Sequence, residues 1–394
     1  MGFFRKKRNI ANATQIDGRI SAIEAPWTKW GLKKAVTDGY SVSGWVYRAV
    51  GIIARSAATV KLQVVDSNDK VIENHPVSVL LSEPHQAWSL YDLLELVFTW
   101  QQLAGNAYLH RITDSNNRTL AIIPVSPDRL NPIPSNNNDS LVAGYSVTSE
   151  TGKVKKSNIY TPSNIAHFKL LDPANPLVGI SPLQVAAKSV DTDISQQSWN
   201  RKAMHNKGIV DAVFTFEKQL NSKAYDTIKA KLTEMLTGSV NAHGVGVIGS
   251  NAKFQRLSLT PVEMDFLNSR NMNMKEIFII FGIPLPLAGA AETMSYNNFS
   301  ESLRVLWEIT NMPLIQDFCD TLNRFLVDDL AGAKIKPDYS GIGALKQNMK
   351  QNIENAKLLH DMGVPVSELN TRFNLGLDSY IGWNESHVKA ATKK

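Results

Sequence analysis

A single cysteine, Cys319, stands in 394 residues. That excludes a disulfide scaffold and any multi-cysteine zinc or iron–sulfur centre, and it fits a reducing interior. Long apolar runs are missing too. The longest uncharged apolar stretch lies between Glu276 and Glu292 and is broken by Gly282, Pro284, Pro286 and Gly289. It is too short and too interrupted for a spanning helix of about 20 residues, so a soluble chain with no membrane partner is expected. The basic cluster Arg5-Lys6-Lys7-Arg8 is followed by no apolar run and does not read as a signal peptide. There is no G-x-x-x-x-G-K-[ST] phosphate loop, no H-E-x-x-H helix and no G-x-S-x-G nucleophile elbow. The histidines at 75, 85, 110, 167, 205, 243, 360 and 387 never stand three or four apart. A two-histidine metal site on one helix is therefore excluded, although ligands from distant segments are not. No cofactor and no metal are expected.

What is present is ordinary globular composition, 43% hydrophobic and 20% charged. Such a length divides into two to four packed units at about 100–200 residues each. Lys+Arg 42 against Asp+Glu 36 leaves +6, compatible with a polyanionic partner without requiring one. Residues 1–40 lack periodicity and read as an arm, with Trp27 and Trp30 as anchors. Trp45, Val46, Ala49, Val50, Ile53 and Ala57 recur at helical spacing, and Lys61–Val65 reads as a strand. Ser89 with Asp92 forms a capping-box pair ahead of a second helix, with Gly105 as its C-terminal glycine. Strands follow at 107–112 and 120–125, with a further hairpin around Thr151-Gly152. An α+β unit over 41–180 results.

The next third is different. Ser181-Pro182-Leu183-Gln184 opens a long helix to 207, with apolar positions sparse enough for one-sided packing. Residues 209–260 form a small insert: a strand at Val210–Phe216, a helix at Ser222–Leu236, and a hairpin of Gly244–Gly249 with Phe254–Leu259. About fifty residues make a marginal core, so the insert is expected to gain stability from neighbours, including copies of itself. Thr260-Pro261-Val262-Glu263 opens another helix to Phe281, and a Gly/Pro-rich loop follows. Asn298-Phe299-Ser300-Glu301 caps a third long helix, which must kink or break near Pro313 and ends near Gly332. Short helices fill 341–394.

Several residues invite a chemical role, and each has a plainer reading beside it. Gly244-x-Gly246-x-x-Gly249 has nucleotide-loop spacing, but Val245, Val247 and Ile248 make it strand-like and no helix follows. Asp191 and Asp193 stand two apart on a helix and read as a solvated face. Cys319 sits in an apolar helical run and reads as core. Arg201, Lys202 and Lys207 either complement a helix C-terminus or form a ring of positive charge if copies surround an axis. His167 and Asp172 stand close enough to raise a hydrolase with a distant serine, which no nucleophile motif supports.

Short stretches in a distinctive order complete the reading: Trp45…Ala49, His75-Pro76…Leu80-Leu81…Glu83-Pro84, Gly105-Asn106-Ala107-Tyr108, Ile123-Pro124-Val125…Pro127, and Ile165-Ala166-His167-Phe168. They continue with Gly179-Ile180-Ser181-Pro182-Leu183, Phe281-Gly282-Ile283-Pro284…Leu287, Tyr296-Asn297-Asn298…Glu301, Met312-Pro313-Leu314, and Asn355-Ala356-Lys357…Gly363-Val364-Pro365…Glu368-Leu369-Asn370…Arg372. Together they resemble the portal (head–tail connector) family of long-tailed bacteriophages; His85 departs from the Asn common after that proline.

The resemblance implies a portal-type α+β fold. Its parts are an N-terminal arm (1–40), an α+β wing (41–180), stem helices (181–208 and 261–282) and a small α/β clip (209–260). A tunnel loop (283–297), a long wing helix (298–340) and a helical crown (341–394) complete it. It also implies a non-enzymatic ring of about twelve subunits at a capsid vertex of the virion, made in the host bacterial cytoplasm. Double-stranded DNA would pass through without sequence readout. The implied partners are the terminase large subunit, which holds the ATPase chemistry, the major capsid and scaffold proteins, and a head–tail adaptor. In the tunnel loop, which by the resemblance faces DNA, the residues singled out are Leu285, Leu287, Glu292, Thr293, Met294, Ser295 and Tyr296, and Arg201, Lys202 and Lys207 would form a channel basic ring if copies surround an axis. Weak, nearly uncharged contacts suit a sliding duplex, because strong Lys/Arg–phosphate pairs would hold it still. Other classes consistent with the chain are a hydrolase and a capsid shell subunit.

Overall fold

In a computed structural model, residues 30–135, 141–148, 154–205, 212–216, 226–227, 230, 252–256, 266–289, 296–373, 375 and 377 are described. Ordered helix begins before the periodicity indicates. A short turn α1 (Leu32–Lys34) runs into a π-helical segment, Ala35–Tyr40, and Trp30 is buried against Gly39. Ser43 caps α2 (Gly44–Ala58), whose buried stripe is the one the spacing picks out: Val46, Ala49, Val50, Ile53 and Ala57. Strand β1 is Lys61–Val65 and α3 is Pro76–Ser82. Helix α4 (Leu90–Ala104) starts at the Ser89/Asp92 capping box and ends at Gly105, which takes the left-handed conformation at φ 71°. Leu93, Leu94, Val97 and Phe98 of α4 are buried where it packs on α2.

Two three-stranded antiparallel sheets complete the first half. One has the order β3 (Thr119–Val125), β2 (Asn106–Thr113), β7 (Ile165–Lys169). The other is β4 (Leu130–Pro134), β5 (Val142–Thr148), β6 (Val154–Tyr160). The turn expected at Thr151-Gly152 lies between β5 and β6, outside the described residues.

The second half closes on the first. Helix α5 (Pro182–Val185) breaks at Ala186 before α6 (Ala187–His205) continues, so the expected single helix comes in two pieces. Strands β8 (Ala212–Phe216) and β9 (Ala252–Arg256) pair antiparallel. The strand expected at Phe254–Leu259 therefore sits earlier and pairs with β8; the expected Gly244–Gly249 strand and the start of the next helix at Thr260 lie outside the described residues. Helix α7 is Phe266–Ile280. The third helix breaks as expected, through six π-helical residues. It runs as α8 (Tyr296–Val305), then Leu306–Asn311, then α9 (Met312–Phe325) with Pro313 in its first turn. Proline lacks the N–H that an α-turn needs, so the chain widens just before it. A turn α10 (Val327–Leu330), strand β10 (Lys334–Asp338) and helices α11 (Gly343–Asp361) and α12 (Val366–Phe373) follow. Strand β10 pairs antiparallel with β1, from Lys61 opposite Asp338 to Val65 opposite Lys334.

The core centres on three rings. Phe318 of α9 stacks on Phe168 of β7 at 4.6 Å and meets Phe98 of α4 edge-on at 5.6 Å. These contacts bind sheet, early helix and late helix into one apolar cluster. Cys319 lies in it, fully buried, and burial pushes its thiol up to about 12. Among the described residues, no helix is long and apolar enough to cross a membrane.

Candidate functional site

Three of the singled-out stretches meet at one asparagine. Asn106 opens β2 directly after the Gly105 turn. Its Oδ1 accepts from the Gly179 N–H at 2.7 Å and faces His167 Nε2 at 2.9 Å, while its Nδ2 donates to the Ala104 and Gly179 carbonyls. With Nε2 donating to Asn106, His167 Nδ1 is left to face the Tyr145 hydroxyl at 3.5 Å. Burial, helped by the Lys169 charge, pushes His167 down to about 3, so the ring is neutral. Asp172 is not its partner: that carboxylate accepts from the Ala174 N–H at 2.9 Å. The histidine–aspartate pair that raised a hydrolase is not assembled, and His167 pins the entry to the α5–α6 helices.

Helices α6 and α7 lie side by side, joined by a polar ladder. Ser189 donates to Glu276 Oε2 at 2.5 Å, Arg270 Nε to Asp193 Oδ1 at 2.9 Å, and Gln196 Nε2 to Ser269 Oγ at 2.6 Å. Asn273 Nδ2 adds a bond to Gln196 Oε1 at 3.3 Å, and Gln197 supports Asp193 at 2.6 Å. Asp193 is fully buried, which corrects its reading as part of a solvated face. Its guanidinium partner comes from a helix far along the chain, so spacing along α6 alone could not reveal it.

Past α7 the chain turns through a Schellman-type end. Ile283 N–H reaches the Phe278 carbonyl and Gly282 N–H the Ile279 carbonyl, both at 2.9 Å, with Gly282 at φ 72°. Thr310, in the π-helical segment, donates to the Gly282 carbonyl at 2.6 Å. The widened helix therefore holds one end of the expected tunnel loop. Leu285–Ala288 make a 3₁₀ turn in which Leu287 is buried and Leu285 packs half-buried on the main core. Leu287 is thus directed into its own subunit. Glu292, Thr293, Met294 and Ser295 lie outside the described residues, and Tyr296 is the first residue of α8. Arg201 and Lys202 are exposed near the end of α6, and Lys207 lies outside the described residues.

Comparison with known proteins places this arrangement. The model of the family "Phage portal protein" matches residues 45–364. An uncharacterized protein of Rickettsia bellii is 27% identical over 333 residues, covering 82% of this chain and 85% of its own length. The portal protein of Enterobacteria phage HK97 is 22% identical over 340 residues, covering 84% and 78%. Among solved structures, the chain resembles one from the neck of an empty gene transfer agent particle computed with C6 symmetry, with TM-score 0.67 and 23% identity over 91% of this chain and 98% of that one. It also resembles one from the neck of the native particle computed with C12 symmetry, with TM-score 0.63 and 21% identity over 91% and 99%. With the match running from the first turn of α2 past the end of α11, and the fold shared over nine-tenths of its length, the chain belongs to the phage portal protein family, the head–tail connectors of phages.

Proposed function

We propose that about twelve copies of this chain close into a ring at one capsid vertex. The ring passes double-stranded DNA during packaging and ejection, docks the terminase large subunit and later the head–tail adaptor, and catalyses nothing itself. Major capsid and scaffold proteins surround it during assembly. The observation that carries the reading is the family match over 45–364, coupled to a fold shared with neck proteins whose particles were computed with cyclic symmetry.

Two local features support it. Helices α6 and α7, joined by their polar ladder, are the paired stem, with β8 and β9 between them in sequence as the clip. The stem meets the tunnel loop at Gly282, where Thr310 ties that loop to the long wing helix. The α+β unit over 41–180 and the long helix from 298 make the wing, and helices α11 and α12 belong to the crown.

The test is direct. Full-length protein, purified and measured by native mass spectrometry and negative-stain imaging, should give a closed ring near twelve chains with an axial hole. A well-folded monomer or small oligomer would overturn the proposal, and polydisperse shells would point to a capsid subunit.

A further inference from the structure

Arg111 lies on β2 with its side chain only 4% exposed, and its charge is poorly answered. Its Nε donates to Asn164 Oδ1 at a long 3.3 Å. The nearest carboxylate oxygen, Asp329 Oδ2, stands 3.9 Å from Nη1, beyond hydrogen-bond length. That carboxylate is already engaged by Thr119, through its N–H at 3.0 Å and its hydroxyl at 2.6 Å. The Phe325 ring, 5.7 Å from the guanidinium carbon, adds a cation–π contact but accepts no conventional hydrogen bond. Among the described residues, the two Nη groups therefore have no hydrogen-bond acceptor.

They face a pocket of about 330 Å³ between β7, the β4–β5–β6 sheet and the C-terminal end of α9. Arg111, Lys169 and Arg324 line it against one carboxylate, Asp328. The Lys169 ammonium donates to the Pro176 carbonyl and Arg324 Nη2 to the Thr321 hydroxyl at 3.1 Å, both neutral acceptors, while the Asp317 carboxylate feels the Arg324 charge from outside the pocket. A nearly buried guanidinium with free donors is costly unless an anion answers it, and its planar fork matches two oxygens of one oxyanion.

We propose that this pocket binds an oxyanion, held by the Arg111 fork and closed over by Arg324. Two sources share that chemistry: free inorganic phosphate, and a carboxylate from an adjacent copy of the chain. The experiment is calorimetric titration and thermal unfolding of the full-length protein, as ring and as unassembled chain separated by size. Phosphate, acetate and chloride are compared at matched ionic strength.

Phosphate should bind and raise the unfolding temperature where chloride does not. Arg324→Gln, an exposed change that leaves the core untouched, should weaken phosphate binding at least tenfold. Arg111→Lys, which keeps the charge and loses the fork, should weaken it further. Binding to both ring and free chain assigns the site to the free anion. Binding to the free chain alone, with ring closure weakened in Arg324→Gln, assigns it to a neighbour's carboxylate. No oxyanion-specific effect in either form, or phosphate binding unchanged in Arg324→Gln, overturns the proposal. The free-chain measurement does not depend on ring formation, so it stands apart from the function proposed above.

Discussion

A Cβ placed on Gly179 would lie 2.0 Å from the carbonyl oxygen of Gly105, so backbone alone fits where these two residues cross. The same oxygen accepts from Leu170 N–H at 2.9 Å, and Ile180 N–H reaches the Leu170 carbonyl at 3.0 Å. Three strands of chain thus meet at one point, which joins the end of α4 and the start of β2 to the segment leading into α5 and α6. Gly105 needs its glycine twice over, for φ 71° and because a Cβ there would stand 2.6 Å from the Ile180 carbonyl carbon.

Gly179→Ala should therefore destabilise the chain by roughly 3 kcal/mol or more, because backbone rather than a flexible side chain must yield. Asn106→Ala should cost about 2 kcal/mol by leaving unpaired the half-buried groups it bridges. Urea unfolding of the two variants checks both figures. A Gly179→Ala midpoint equal to the parent's would mean the crossing is looser than the geometry described.

Local signals were the legible part of this fold. The Ser89/Asp92 pair, the Gly105 end, the Lys61–Val65 strand and the break before Pro313 each depend on residues within a few positions of one another. What stayed hidden depends on distant partners. Nothing near Lys61–Val65 announces that it pairs with Lys334–Asp338, and nothing near Asp193 announces Arg270. The stretches containing Asn106, His167 and Gly179 stood out individually, yet their convergence is a property of the fold. At the candidate site, the buried Leu287 shows the limit of reading apolar loop residues as exposed surface, since a 3₁₀ turn can direct one of two neighbouring leucines inward.

His167 gives the fold an acid-sensitive joint. Its ring stays neutral down to about pH 3 when folded, whereas an unfolded histidine takes up a proton near 6.5. Between those values the unfolded chain binds the extra proton, so stability is complete above about 6.5 and falls with pH below it, by up to ~1.4 kcal/mol per pH unit. Desolvation lowers His110 as well and acts in the same direction. His167→Gln, which can still donate to Asn106, should flatten the dependence between pH 6.5 and 4 in urea titrations. An unchanged slope would remove His167 as its source.

The Asp193–Arg270 pair should show the asymmetry of a buried carboxylate. Arg270→Ala leaves Asp193, fully buried, with Gln197 as its remaining partner, and should cost about 3 kcal/mol. Asp193→Ala combined with Arg270→Ala should cost less than Arg270→Ala alone, because no uncompensated charge remains. Thermal unfolding of the four corners of this cycle measures it. Additive losses would show that the two groups do not interact between α6 and α7.

Thr310 should matter for positioning more than for stability. Thr310→Val removes the hydroxyl that holds the Gly282 carbonyl at 2.6 Å and should cost about 1 kcal/mol, while Thr310→Ser keeps the bond. If this bond sets the tunnel loop, Thr310→Val rings should assemble normally yet package DNA more slowly, with Thr310→Ser restoring the rate. Equal packaging by the valine and serine variants would leave the bond a purely structural role.

Glu292 is the sole charge between 283 and 296, and the proposed ring would repeat it around the bore. A carboxylate there repels phosphates and centres the duplex, acting over a screening length of about 10 Å at 0.1 M salt. Glu292→Lys reverses the sign, turns repulsion into grip through counterion release, and should slow or stall packaging in a reconstituted motor. Glu292→Gln, neutral, should fall between. Because the grip is ionic, raising salt should restore the lysine variant's rate relative to the parent's before it impairs the parent. A lysine ring that assembles normally and packages at the parental rate at every salt concentration would remove this loop from the DNA path.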